Sequence, residues 1–305
     1  TRAAKLTFAA LFAVVASAAT IASFLAFDFG AAQTLSDVKG GIVMRNHVTQ
    51  SLALTMGAAL ALVLALYARR GSWQQWTWAG AAALMIANVI FVAYARSGYV
   101  ALGTIAVAAA LGFWRGRGRV VALIAVTLLI VAALEYSPLI KKRFTLAIDE
   151  VTQTTAAAEI TPMGIRVMMW DTAAAIARES PLIGHGLGSF AQQYQRVVVQ
   201  RYTGWKATLT ADPHNQYLLI LVETGLLGLA AFVWFLLSAL RQPVSGPFRV
   251  IGLAMLLAWC ITSLFSSHFH TFNEGHLIAL MLGMCLAREV SHQRNAASIA
   301  ERASA

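Results

Sequence analysis

Apolar residues in this chain gather into eight long runs, at 3–27, 47–68, 75–94, 98–114, 119–136, 216–240, 249–267 and 272–288. A helix needs about 20 apolar residues to cross the hydrocarbon core of a membrane. The strands of an outer-membrane barrel read instead as alternating segments of about 10. The pattern predicts an all-α polytopic membrane protein with about eight transmembrane helices. The fourth and eighth runs are short, at the lower limit for a span. Two longer connections, 28–46 and 137–215, separate these runs, and both fall on the same side of the membrane if the spans alternate. The expected organisation is spans one to five over 1–136 with a short outer loop at 28–46, an extracytoplasmic loop over 137–215, spans six to eight over 216–288, and a cytoplasmic tail over 289–305.

Composition agrees with this pattern and narrows it. Hydrophobic residues make up 59% of the 305 positions and charged residues 12%, where a soluble domain carries about 25% charged residues. An ordinary soluble protein and a disordered chain are both excluded. Cys260 and Cys285 lie inside apolar runs and read as small buried hydrophobes. They are too few for a disulfide framework or a cysteine-based metal site.

The formal net charge of +10 would suggest nucleic acid in a soluble protein. Here it reports topology. If the visible termini are cytoplasmic, that side holds Arg2, Lys5, Arg69, Arg70, Arg115, Arg117, Arg119, Arg241, Arg249, Arg288, Arg294 and Arg302 against only Glu289 and Glu301. The opposite side is then neutral, which is the asymmetry of the positive-inside rule. The chain begins at Thr1 with a span almost at once, so earlier spans are expected to be missing.

Chemistry is expected on the outer face, where the 137–215 loop is too long for a simple connection. Thr161-Pro162 reads as a helix start, with Ile165, Met169, Thr172 and Ile176 on one stripe and Arg166, Trp170 and Ala173 on the next. Arg166 would sit near an electropositive helix end, which calls for an anion there or for a salt bridge to Glu159 or Asp171. The run Pro181-x-x-Gly184-His185-Gly186-Leu187-Gly188-Ser189 lacks the Gly-Lys-Ser/Thr ending of a phosphate loop and reads as a tight turn.

In Asp212-Pro213-His214-Asn215-Gln216, Asp212 is expected to cap the sixth span, with Pro213 in its first position and His214 in its first turn. A helix N-terminus disfavours imidazolium, so His214 would be neutral, as a general base requires. A bland interfacial histidine is the other reading. Arg96, in the brief turn before the fourth span, either faces a polar cavity or reaches lipid headgroups. Arg45 and His47 start the second span. His268 and His270 flank the last outer turn, but their spacing and the lack of a carboxylate cluster beside them argue against a metal site. Arg45, His47, Arg96, Arg166 and His214 all map to one membrane face, a set suited to a phosphate-bearing lipid.

The ordered set Arg96-Ser97-Gly98, Arg166-x-x-x-Trp170, the Pro181–Phe190 glycine run, Pro213-His214-Asn215-Gln216 and Glu223-Thr224-Gly225-x-x-Gly228 resembles the bacterial O-antigen ligase and polymerase superfamily, over residues 45–235. The resemblance implies a fold of about twelve spans, of which eight are visible here, in the bacterial inner membrane with a periplasmic active face. It implies a metal-independent inverting glycosyltransferase with no cofactor or nucleotide and no nucleic-acid partner. Its donor would be a glycan on undecaprenyl diphosphate, and in the ligase branch its acceptor would be the lipid A–core oligosaccharide. The family's functional positions correspond to Arg96 and Arg166, as diphosphate ligands, and to His214, as general base. Arg45, His47, Trp170 and Asn215 are further expected to line the site. A ligase is favoured over a polymerase, a protein O-oligosaccharyltransferase and a secondary transporter.

Overall fold

The computed structural model describes residues 1–28, 40–93, 95–136 and 162–289. These form ten α-helices and no strand: α1 (Arg2–Leu25), α2 (His47–Tyr67), α3 (Trp73–Phe91), α4 (Arg96–Phe113), α5 (Gly116–Tyr136), α6 (Pro162–Glu179), α7 (Phe190–Arg201), α8 (Gln216–Leu240), α9 (Pro247–Thr262) and α10 (Phe272–Leu286). Each of the eight apolar runs overlaps one of these helices. By length and composition α1, α2, α4 and α8 can cross a membrane, while α9 and α10 are apolar but shorter. The protein is a helical polytopic membrane protein.

The bundle is built around α2, which packs against α1, α3, α4, α9 and α10. Its sequence explains this place. Alanine, glycine and leucine cover it on all sides, so neighbouring backbones approach closely. A Cβ at Gly57 would lie 2.8 Å from the Ala16 side chain. Helix α5 packs mainly on α4 and exposes Val120, Val121, Ile124, Leu128 and Leu129. An apolar helix exposed in this way faces lipid.

One end of the bundle gathers the basic termini. Arg2 lies over the Tyr67 ring, Lys5 over Phe248, and Tyr67 against Phe248 at 5.9 Å. Lys5 donates to the Cys285 carbonyl at the end of α10 (3.1 Å), and Arg2 pairs with Glu289. The opposite end carries the N-termini of α2, α4, α8 and α10, and with them the candidate residues.

Two boundaries differ from the expected ones. The seventh run was read as helical to residue 267, but α9 stops at Thr262 and residues 263–271 form a turn, with Leu264 and Phe265 still apolar and exposed. The sixth run is helical but not straight. At Gly225 the backbone takes φ 63°, ψ −162°. Tyr217 and Phe232 would stand about 22 Å apart along a straight helix, yet their rings are 6.2 Å apart. Helix α8 is therefore two arms, 216–224 and 226–240, meeting at a sharp bend. The first arm packs with α6 and α7 around Met168, Met169, Ala173, Ile176, Phe190, Tyr194, Val198, Leu219 and Val222. The second arm runs toward the basic end, where Arg249 donates to the Leu240 carbonyl.

Candidate functional site

His214 stands on a short extended segment between the outer helices and α8. It was expected inside the first turn of the sixth span, with Asp212 as its cap. The structure corrects both points. Helix α8 begins at Gln216, and Asn215 is its cap, its Oδ1 accepting from the amides of Tyr217 (3.0 Å) and Leu218 (3.1 Å). An Asn two and three residues before those amides satisfies them better than Asp212 could, so the helix starts later. His214 precedes that cap and lies outside the first turn of the helix.

Asp212 does something else. Its Oδ1 accepts the His214 amide at 2.8 Å and the Ser267 hydroxyl at 2.6 Å, and its Oδ2 lies 3.7 Å from His214 Nδ1. His214 is the one non-glycine residue with positive φ among those described, at 52°. That conformation is uncommon for a side-chain-bearing residue and persists where neighbours impose it. Here they do so from both sides. Trp170 Nε1–H donates to the Pro213 carbonyl at 2.9 Å, Asp212 takes the His214 amide, and Asn215 Nδ2–H donates to the Leu264 carbonyl at 3.1 Å. The imidazole is left half exposed beside the Asp212 carboxylate.

The segment is also tied to the 263–271 turn. Gln216 donates its amide to the Ser263 carbonyl (2.9 Å), and its Oε1 accepts from the amides of Phe269 and His270. The Trp170 and Phe265 rings lie 6.0 Å apart. None of these roles was read from the sequence. Gln216 is a polar residue at the mouth of an apolar run, which is a usable signal. Ser267 offers none.

Arg166 lies in α6, one helical turn before Trp170. Residues four apart share a helix face, so Arg166 is on the face whose next turn touches Pro213. The helix is described from Pro162 on; its expected cap, Thr161, and one expected ion partner, Glu159, lie outside the described residues. The other partner, Asp171, pairs with Arg201 at 3.1 Å. Of the expected apolar stripe of α6, Met169, Thr172 and Ile176 are buried and Ile165 is partly buried, and Ala173 of the neighbouring stripe is buried with them.

Arg96 is the first residue of α4. That end is held against α2, where a Cβ at Gly98 would lie 2.4 Å from Ser51 and where the Ser51 hydroxyl donates to carbonyls of His47 and Ala93. Arg45 and His47 are exposed at the start of α2. Gln50 fixes the chain before them, its Oε1 accepting from the Val43 amide (2.8 Å) and its Nε2 donating to the Gly41 carbonyl. Near them the Glu274 carboxylate of α10 accepts from Thr49 of α2 (2.9 Å) and from His268 Nδ1–H (2.6 Å). A single carboxylate, Glu274 in the first turn of α10, thus stands beside His268, which is not the cluster that a metal site would need. This chain of contacts links α2 through α10 to the turn that holds Asp212. The structure thereby brings Arg45, His47, Arg96, Trp170, His214 and Asn215 to one end of the bundle.

A family model described as O-antigen ligase matches residues 80–233. The chain belongs to the O-antigen ligase family. The match carries Arg96, Arg166, Trp170, the glycine run and His214. It leaves out Arg45, His47, Ser267, His268 and Glu274. A search of curated proteins gives no match. The O-antigen ligase family comprises glycosyltransferase-like ligases and polymerases that work on lipid-linked glycans and their acceptors, in bacterial membranes.

Proposed function

We propose that this protein is an O-antigen ligase, transferring a glycan from undecaprenyl diphosphate to a hydroxyl of lipid A–core at the periplasmic face of the inner membrane. The observation that carries the reading is the double hold on His214: Asp212 against its amide and ring, and Trp170, one turn from Arg166, against the preceding carbonyl. A base and a cation are thereby kept on adjoining pieces of chain.

In this reading His214 accepts the proton of the acceptor hydroxyl through Nε2, while Asp212 beside Nδ1 stabilises the imidazolium. The acceptor oxygen attacks the anomeric carbon from the face opposite the diphosphate. The carbon–oxygen bond to the diphosphate breaks, the electron pair leaves with it, and the configuration inverts. Arg166 and Arg96 bind the diphosphate and offset its growing charge, a role that needs no metal. Arg45, His47 and Asn215 border the same end and contact donor or acceptor sugars.

The test is transfer by purified protein in the presence of a chelator, with undecaprenyl-diphosphate-linked glycan and lipid A–core as substrates, read by gel mobility. An upward shift of the core band, absent with Arg166→Ala, supports the ligase. Elongated lipid-linked glycan with an unshifted core band assigns a polymerase instead.

A further inference from the structure

The glycine run between α6 and α7 is not a free surface turn. It is paired, backbone to backbone, with the bend in α8. Breaking a helix at Gly225 strands carbonyls on one side and amides on the other. The Val222 and Glu223 carbonyls accept from the amides of His185 and Gly186, both at 2.9 Å. The amides of Leu226 and Leu227 donate to the carbonyls of Pro181 (2.8 Å) and Leu182 (3.1 Å). Four reciprocal bonds thus replace those that the bend removes. Such close approach requires glycine on both sides. A Cβ on Gly184 would lie 2.5 Å from the Glu223 and Thr224 backbone, and one on Gly225 would lie 2.4 Å from Leu182.

This clasp presents an apolar surface that no part of the described chain covers. Leu182 is 62% exposed, Ile183 69% and Leu187 84%, next to Leu226 and Leu227 at the start of the second α8 arm. Residues 180–190 contain no charged side chain. The surface continues directly into the exposed face of that arm, which includes Val233, Trp234 and Leu237.

Helix length sets its depth. The second arm, 226–240, is about 22 Å long and α9 about 24 Å, against a hydrocarbon core of about 30 Å. The basic end of the bundle fixes the far boundary at Arg241 and Arg249. The clasp therefore lies short of the near boundary, where its backbone groups would be costly if unpaired. They are paired.

We infer that the 181–187 loop, clasped to the bend of α8, is immersed in the leaflet on the His214 side, with Leu182, Ile183 and Leu187 in contact with lipid acyl chains. It would anchor α6, and hence Arg166, at a fixed depth next to lipid-borne substrates. The inference rests on helix lengths and pairing, not on the chemistry assigned to His214.

The test is site-directed spin labelling of the full chain in lipid nanodiscs. Cys260→Ala and Cys285→Ala remove the native thiols, and Leu182→Cys, Ile183→Cys and Leu187→Cys each carry one nitroxide, with exposed Gln200→Cys in α7 as the aqueous control. Oxygen is expected to relax the three loop labels several-fold more strongly than a water-soluble nickel chelate, with the order reversed at Gln200. Stronger relaxation by nickel at the loop would place it in water and overturn the inference. Low access to both reagents would mean cover by protein, such as a second copy, and would overturn it equally. The wild-type protein gives an independent reading. Photolysis with a diazirine-bearing phospholipid should label the tryptic peptide 179–196 at Leu182, Ile183 or Leu187, and an unlabelled peptide counts against immersion.

Discussion

Replacing Asp212 by Asn separates its two tasks. The substitution is nearly isosteric, and Asn can still accept the His214 amide, so the φ 52° conformation should survive. What disappears is a negative charge 3.7 Å from His214 Nδ1. Coulomb's law gives that charge about 1 kcal/mol of attraction for an imidazolium in water and about 4.5 kcal/mol at an effective dielectric of 20. The two side chains are 44% and 28% exposed, so solvent screens the pair and the lower end applies, about 1 kcal/mol. If imidazolium forms in the transition state, Asp212→Asn should lower kcat about 5-fold with little change in KM for the donor. Asp212→Ala should cost more, because it also releases the His214 amide and the Ser267 hydroxyl. The assay is initial-rate glycan transfer at saturating donor, with thermal unfolding measured on the same preparations. Wild-type kcat in a folded Asp212→Asn variant would refute the reasoning. So would an equal loss in Asp212→Asn and Asp212→Ala accompanied by equal loss of stability, since that pattern means Asp212 is structural alone.

Three further outcomes are expected. Trp170→Phe keeps a ring near Phe265 but removes the indole donor to the Pro213 carbonyl; transfer should fall about 3- to 10-fold, corresponding to about 1 kcal/mol for one neutral hydrogen bond, and initial rates check it. Gly225→Ala forces a side chain into the Leu182 backbone at an unfavourable φ, so it should cost about 3 kcal/mol or more and lower the melting temperature in detergent, whereas Gly188→Ala, with open space around its Cβ position, should cost about 1 kcal/mol from φ alone. Burial pushes the Tyr194 hydroxyl up to about 12, and the raised value means that stability is full below pH 10 and lost as pH rises toward 12. Tyr194→Phe should flatten that alkaline loss without lowering stability at pH 7, as followed by thermal melts across pH 8–12.

The helices were legible because apolar run length and helix length are nearly the same quantity in a membrane. The basic end was legible because ten arginines and lysines among the described residues mark it. What escaped was local geometry. Asp212 and Asn215 are both competent caps, and only the position of the turn at 263–271 decides that Asn215 serves while Asp212 turns toward His214 and Ser267. The bend at Gly225 left its trace as two separate glycine motifs, Gly184-x-Gly186-x-Gly188 and Gly225-x-x-Gly228. Their pairing is a contact across about 40 residues that neither motif shows alone. Glu274 was readable as an acid at the mouth of an apolar run, which is costly without partners, but Thr49 and His268 come from distant segments. Arg96 stood out through charge between two apolar runs, Arg166 through charge near a helix start, and Ser267 through nothing.

The most direct measurement takes donor binding and turnover on the same His214→Ala protein. Binding of undecaprenyl-diphosphate-linked glycan should stay within about twofold of wild type, because the cations that hold the diphosphate are untouched. Transfer to the acceptor hydroxyl should fall by at least about 10²-fold, the usual worth of general-base assistance. Transfer at the wild-type rate by folded His214→Ala would contradict the assignment of the base and, with it, the mechanism.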